Sequence, residues 1–131
     1  MTNIQAKMKE LFGGSCYAYC LAYIALETDN VTTLTEAVLH GWDLAYIDAD
    51  GYVSKPIKYL SIMGREIKDI KKVPIEYLND LPDEGLYAVE YQYNGGSHFV
   101  VAKKGEVLFD PSGNSNSVKY GRLVSYRKFV Y

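Results

Sequence analysis

The sequence predicts an α+β protein, with helices in the first half and an antiparallel sheet in the second. Two observations carry this. Apolar residues recur at helical spacing up to about Met63, and afterwards the pattern shifts to short segments rich in β-formers. Those later segments are also separated by tight turn signals, Asn94-Gly95-Gly96 and Lys103-Lys104-Gly105, as expected of hairpin-connected strands.

The elements follow in order. Gly13-Gly14-Ser15 is a loop that delivers Ser15 as an N-cap, and a helix follows from Cys16 to about Glu27, with Cys20, Leu21, Ile24 and Ala25 at helical spacing. Thr33 or Thr35 is expected to cap a second helix carrying Leu34, Ala37, Val38 and Trp42, with Trp42 in the core and His40 near the last carbonyls. Asp48-Ala49-Asp50-Gly51 reads as a turn. Ser54 is expected to cap a third helix, Pro56 to Met63, with proline in its first turn and Gly64 as its stop. Strands are predicted from Arg65 to Val73, Leu86 to Tyr93, His98 to Ala102, Glu106 to Phe109 and Leu123 to Val130. The connector from Pro74 to Leu81 has room for one helical turn.

A chain of 131 residues fits one domain, residues 1–131, and its 48% hydrophobic and 23% charged residues fit an ordinary globular composition. The net charge of −2 is spread over interspersed residues, which excludes a basic nucleic-acid-binding stripe. No apolar run approaches the ~18 residues of a membrane helix, and the first ten residues lack the apolar core of a secretory signal. Membrane insertion is therefore not expected, and a cytoplasmic location is. The 13 tyrosines suit strand faces first; Tyr17, Tyr91 and Tyr93 also suit a cleft wall.

Cys16 and Cys20 lie one helical turn apart, a poor arrangement for a disulfide, so free thiols are expected. Two Cys and two His without further clustered ligands do not make a zinc site. The Asp48 turn lacks the glutamate of a calcium loop, because Ile57 occupies its position. Neither a metal nor a cofactor is expected. Cys16, at the first helical position, meets backbone N–H groups and a helix dipole that favour an anion, hence a thiolate nucleophile. The ordinary fate of a free cysteine is a small core residue, and Cys20 fits it.

A three-residue loop at Lys103-Lys104-Gly105 would pair Ala102 with Glu106, Val100 with Leu108 and His98 with Asp110. Opposed residues share a face with Cβ atoms about 4.5–5.5 Å apart. His98 and Asp110 would then meet, while Phe99, Val101, Val107 and Phe109 would form the core face. A two-residue loop would slip the register and separate the pair. A carboxylate beside an imidazole fixes its tautomer and supports the imidazolium, although such pairs also occur as plain ion pairs. Cysteine at a helix start, with histidine and a carboxylate downstream on paired strands, is the arrangement for cysteine nucleophilic catalysis.

These residues carry a resemblance. Gly14-Ser15-Cys16-Tyr17 resembles the signature around the papain nucleophile. The continuation to Cys20-Leu21-Ala22-x-Ile24, with His98-Phe99-Val100-Val101 and Val107-Leu108-Phe109-Asp110-Pro111, more closely resembles the bacterial bacteriocin-processing, double-glycine leader peptidases. The resemblance implies a papain-like fold with the helical half packed on the sheet. It also implies a catalytic triad of Cys16, His98 and Asp110, and hydrolysis of a peptide or protein substrate through a thioester. Those enzymes carry a glutamine completing the oxyanion hole where this chain has Glu10; Gln5 is the nearest glutamine. Asn114 is an alternative to Asp110 as the group orienting His98. Two other readings stand beside the thiol protease. One is a catalytically inactive module that binds a peptide in the same cleft. The other is a cell-wall amidase or endopeptidase, disfavoured because no second histidine follows His98.

Overall fold

The computed structural model describes residues 15–113 and 116–131. Among the described residues three helices come first: α1 Cys16–Leu26, α2 Val31–Asp43 and α3 Pro56–Ile62. A mainly β half follows, made of β1 Asp69–Pro74, β2 Tyr87–Tyr93, β3 Gly96–Lys103, β4 Glu106–Phe109, a one-turn helix α4 Asn116–Tyr120, and β5 Arg122–Val130. The strands form one sheet in the order β1-β5-β2-β3-β4, with every neighbouring pair antiparallel. The architecture is thus α+β, with the helices ahead of the sheet, as the change of period predicts.

Helix α1 is the centre of the fold because it has no polar stripe. Ala18, Tyr19, Leu21 and Ala22 pack with Leu34 and Val38 of α2 and with Tyr59 and Leu60 of α3. Cys20 and Ile24 pack on Ala88 and Val101 of the sheet, with Phe99, Phe109 and Phe129 around them. A helix that is apolar all round must be covered all round. The other face of the sheet buries Val89, Tyr91, Val100, Ala102 and Tyr126 beneath Leu81 and the partly buried Ile75, Leu78 and Val118. Strands β2 and β3 are therefore covered on both sides, which is why their apolar runs are nearly continuous.

Several local expectations are corrected. Ser15 stands at the N-cap of α1 but its side chain makes no capping bond. Helix α2 begins earlier than predicted, because Asn30 accepts from the Thr33 amide at 3.0 Å, while Thr35 is buried against the Tyr19 hydroxyl at 2.8 Å. Lys55, not Ser54, precedes α3, and the Ser54 hydroxyl goes instead to the Tyr46 carbonyl at 3.2 Å. Trp42 is 42% exposed rather than in the core. The first strand starts at Asp69, since Ile67 joins the helical core and Arg65 reaches back to the Ile24 carbonyl at 2.8 Å. The Asp48 turn forms as predicted, with its carboxylate accepting from the amides of Asp50 and Tyr52.

The β3–β4 hairpin departs from prediction in two ways that offset one another. Lys103 pairs with Glu106 and Ala102 with Val107, so the loop has two residues, Lys104 and Gly105, with Gly105 at φ +81°. The register then shifts, Val101 facing Phe109 and Leu108 being the extra residue of a bulge. Val107 consequently lies with Val100 and Ala102 on the outer face, not with Phe99 and Val101.

Candidate active site

The bulge decides where Asp110 falls. A two-residue turn with uninterrupted pairing would put His98 and Asp110 on opposite faces, because side chains alternate along a strand. The extra residue Leu108 restores the parity. Beyond the Val101–Phe109 pair, Asp110 comes level with Val100, on the same face as His98 and diagonal to it. The contact is made: His98 Nε2 lies 2.8 Å from Asp110 Oδ1, with both side chains largely buried at 11% and 8% exposure. Asp110 is itself held, since its Oδ1 accepts from the Ser112 amide at 2.9 Å.

Cys16 completes the cluster from the other half of the chain. It is the first residue of α1, and the Phe99 amide donates to its Sγ at 3.5 Å, which places the sulfur over the start of β3. Phe99 directly follows His98, so this contact sets the sulfur beside the imidazole, close enough for Cys16 to act on its protonation together with Asp110. With Nε2 committed to the carboxylate, Nδ1 is the nitrogen left for the sulfur. Burial alone would lower the His98 pKa, but the hydrogen bonds and charges of Asp110 and Cys16 outweigh it and raise it to about 9. The imidazole therefore stays protonated through neutral pH, able to hold a thiolate and to give up a proton.

Cys20 has a different environment. It is fully buried one turn deeper, and burial, with the negative charges of Cys16 and Asp110 adding to it, pushes its thiol well up. Among the described residues, no group of three or more His, Cys, Asp or Glu is arranged to hold a metal ion. Gln5, Glu10 and Asn114, the oxyanion-hole candidates and the alternative orienting residue, lie outside the described residues.

A second polar cluster beside the triad was not foreseen. Glu90, only 7% exposed at the side chain, accepts from Ser125 at 2.8 Å and Ser97 at 2.9 Å, and pairs with Lys72 at 3.5 Å and Arg127 at 3.6 Å. Ser97 directly precedes His98. Burial works against the Glu90 charge, but these donors and cations outweigh it and hold the carboxyl below its ordinary value. A signal was present: Glu90 is the one charge within the apolar run from Leu86 to Tyr91, and a carboxylate buried in a strand must be paired.

The fold and the cluster together define an α+β protein in which a helix-start cysteine, a histidine and an aspartate meet at one end of a sheet. The chain belongs to the family described as protein of unknown function DUF261, whose model matches residues 2–131. No curated protein and no solved structure matches the chain. No helix among the described residues is long and apolar enough to cross a membrane.

Proposed function

We propose that this protein is a papain-like cysteine hydrolase acting on peptide or amide bonds, with Cys16 as nucleophile, His98 as acid and base, and Asp110 holding His98. The observation that carries the reading is the buried His98–Asp110 pair at 2.8 Å with the Cys16 sulfur beside it, fixed by the Phe99 amide at 3.5 Å, an arrangement built from two halves of the sequence. An ion pair serving stability alone would not need a helix-start thiol beside its imidazole.

In the proposed reaction the Cys16 thiolate attacks the substrate carbonyl carbon and the carbonyl π-electrons move to oxygen. Free N–H groups in the first turn of α1, that of Cys16 included, stabilise the oxyanion. Collapse expels the amine, which takes its proton from the His98 imidazolium and leaves a thioester on Cys16. His98, now neutral, removes a proton from water as the water attacks. The acid product departs, and thiolate and imidazolium are restored.

The test is iodoacetamide alkylation followed at each cysteine by peptide mass spectrometry, from pH 5 to 9, in wild type and His98→Ala. The proposed pair requires selective modification of Cys16 at pH 6–7, at least about tenfold slower without His98, with Cys20 protected in both proteins. If Cys16 reacts no faster than a free thiol peptide, and equally in both proteins, the hydrolase reading fails and a peptide-binding module takes its place.

A further inference from the structure

A cavity of about 470 Å³ opens directly beside Cys16 and takes no part in the triad chemistry. Its wall includes Tyr17 and Phe99, whose rings meet at 4.6 Å, together with Tyr52, Gly96 and Arg127. Arg127 is the only charged residue among the described residues lining it. The guanidinium lies 5.0 Å over the Phe99 ring and donates to Ser125 at 2.8 Å. It is 17% exposed, so it is held in one orientation without being sealed off.

Among the described residues the charges around it do not balance. Glu90 is the carboxylate paired with Arg127, but Lys72 shares it. One buried anion thus faces two cations, and the more buried of the two lines the cavity. A guanidinium has five N–H donors in a planar fork suited to a carboxylate, and fixing it in advance lowers the cost of using those still free. Stacking on Phe99 leaves its edge available for hydrogen bonding.

Building on the hydrolase reading, we infer that this cavity is a substrate subsite for a carboxylate, with Arg127 as the residue that recognises it. The preferred substrates then carry a carboxylate next to the bond that is cleaved, either an acidic side chain on the acyl side or the free chain end on the leaving side.

Two matched pairs of probes distinguish these sources. Peptidyl chloromethyl ketones ending in Glu or Gln test the side chain, read as the second-order rate of Cys16 labelling. Tetrapeptides ending in a free carboxylate or an amide, used to protect Cys16 from iodoacetamide, test the chain end. The expected result is a preference of roughly tenfold for the charged member of one pair. That preference falls to near parity in Arg127→Gln and is only partly retained in Arg127→Lys, which keeps the charge but not the planar fork, with continued protection of Cys20 reporting that each variant is folded. Parity in wild type for both pairs, or a preference that survives Arg127→Gln, overturns the subsite while leaving the nucleophile intact. If no probe labels Cys16 above a free thiol peptide, the hydrolase reading falls and the subsite with it.

Discussion

Replacing Asp110 with Asn tests the centre of the site with little disturbance. Asparagine keeps an Oδ1 that can still accept from the Ser112 amide, so the local turn is preserved while the negative charge is removed. The Asp110 hydrogen bond is the foremost of the interactions that raise His98 to about 9 against the opposing effect of burial. A carboxylate at this range shifts a partner by about 1–3 pH units, so the His98 titration midpoint in Asp110→Asn should fall by at least about one unit. The assay is the imidazole Cε1–H resonance followed from pH 5 to 10.5. Only two histidines are present, and a His98→Ala sample identifies which signal belongs to His40.

The same shift sets a stability change with a defined sign. His98 binds its proton more tightly in the folded protein than in the unfolded chain, where its pKa is near 6.5. Its stabilisation is therefore complete below about pH 6.5 and lost as pH rises through about 9. At ~1.36 kcal/mol per pH unit the contribution is at most about 3–4 kcal/mol, shared between Asp110 and Cys16. Urea denaturation at pH 6 and pH 9.5 should show wild type losing much of that amount and Asp110→Asn losing clearly less. A midpoint within half a unit of wild type, with equal pH dependence of stability, would refute the reasoning; Cys16→Ala would then have to remove the whole shift.

Other consequences follow from particular contacts. Deleting Leu108 removes the bulge and should carry Asp110 to the opposite face, so the His98 midpoint should drop as it does in Asp110→Asn, read by the same resonance. Glu90→Gln should flatten the acid limb of stability: the lowered carboxyl stabilises the fold above about 4.5 and loses that effect as pH falls, so unfolding followed from pH 6 to 3 should depend less on pH in the variant. Tyr59→Phe removes the buried bond to the Ala18 carbonyl at 3.0 Å and should cost about 1–2 kcal/mol in urea denaturation. Gly121→Ala sets a Cβ against the Ser117 carbonyl and 2.7 Å from the Gln92 carbonyl oxygen, backbone atoms that yield little; a loss of about 2 kcal/mol or more is expected in thermal unfolding.

The parts of the structure visible in the sequence are those that depend on local pattern. The change from helical period to β-formers located the boundary between the two halves, and Pro56 and Gly64 marked the ends of α3 because each acts through its own backbone. Caps were harder to place, since several residues near a helix start can accept the same N–H groups. Asn30 outcompeted Thr33 and Thr35 because the Thr35 hydroxyl was needed by Tyr19, a partner 16 residues away. Trp42 misled for a related reason: its spacing matched the apolar face of α2, but Ile47 and Tyr59 pack against Gly41 beside it and fill that space. The Glu90–Arg127 cluster was hidden because its members come from β1, β2, β3 and β5, and only the strand order brings them together.

The His98–Asp110 pair shows how a contact can be inferred through a mistaken register. A three-residue turn predicts the pairing; the chain instead uses a two-residue turn and adds the missing residue later, as the bulge at Leu108. Both routes place the same parity of residues between the strands, and parity alone determines which face a side chain occupies. The routes differ for the residues between turn and bulge, and Val107 is found on the face opposite to the one expected. Placing the bulge between the turn and Asp110 also increases local twist at the end of β4, where the chain must leave the sheet toward Pro111. The feature that disrupts the ladder is therefore the one that aims the carboxylate at His98, so substitutions preserving residue count between Gly105 and Asp110 should be tolerated far better than single-residue insertions or deletions there.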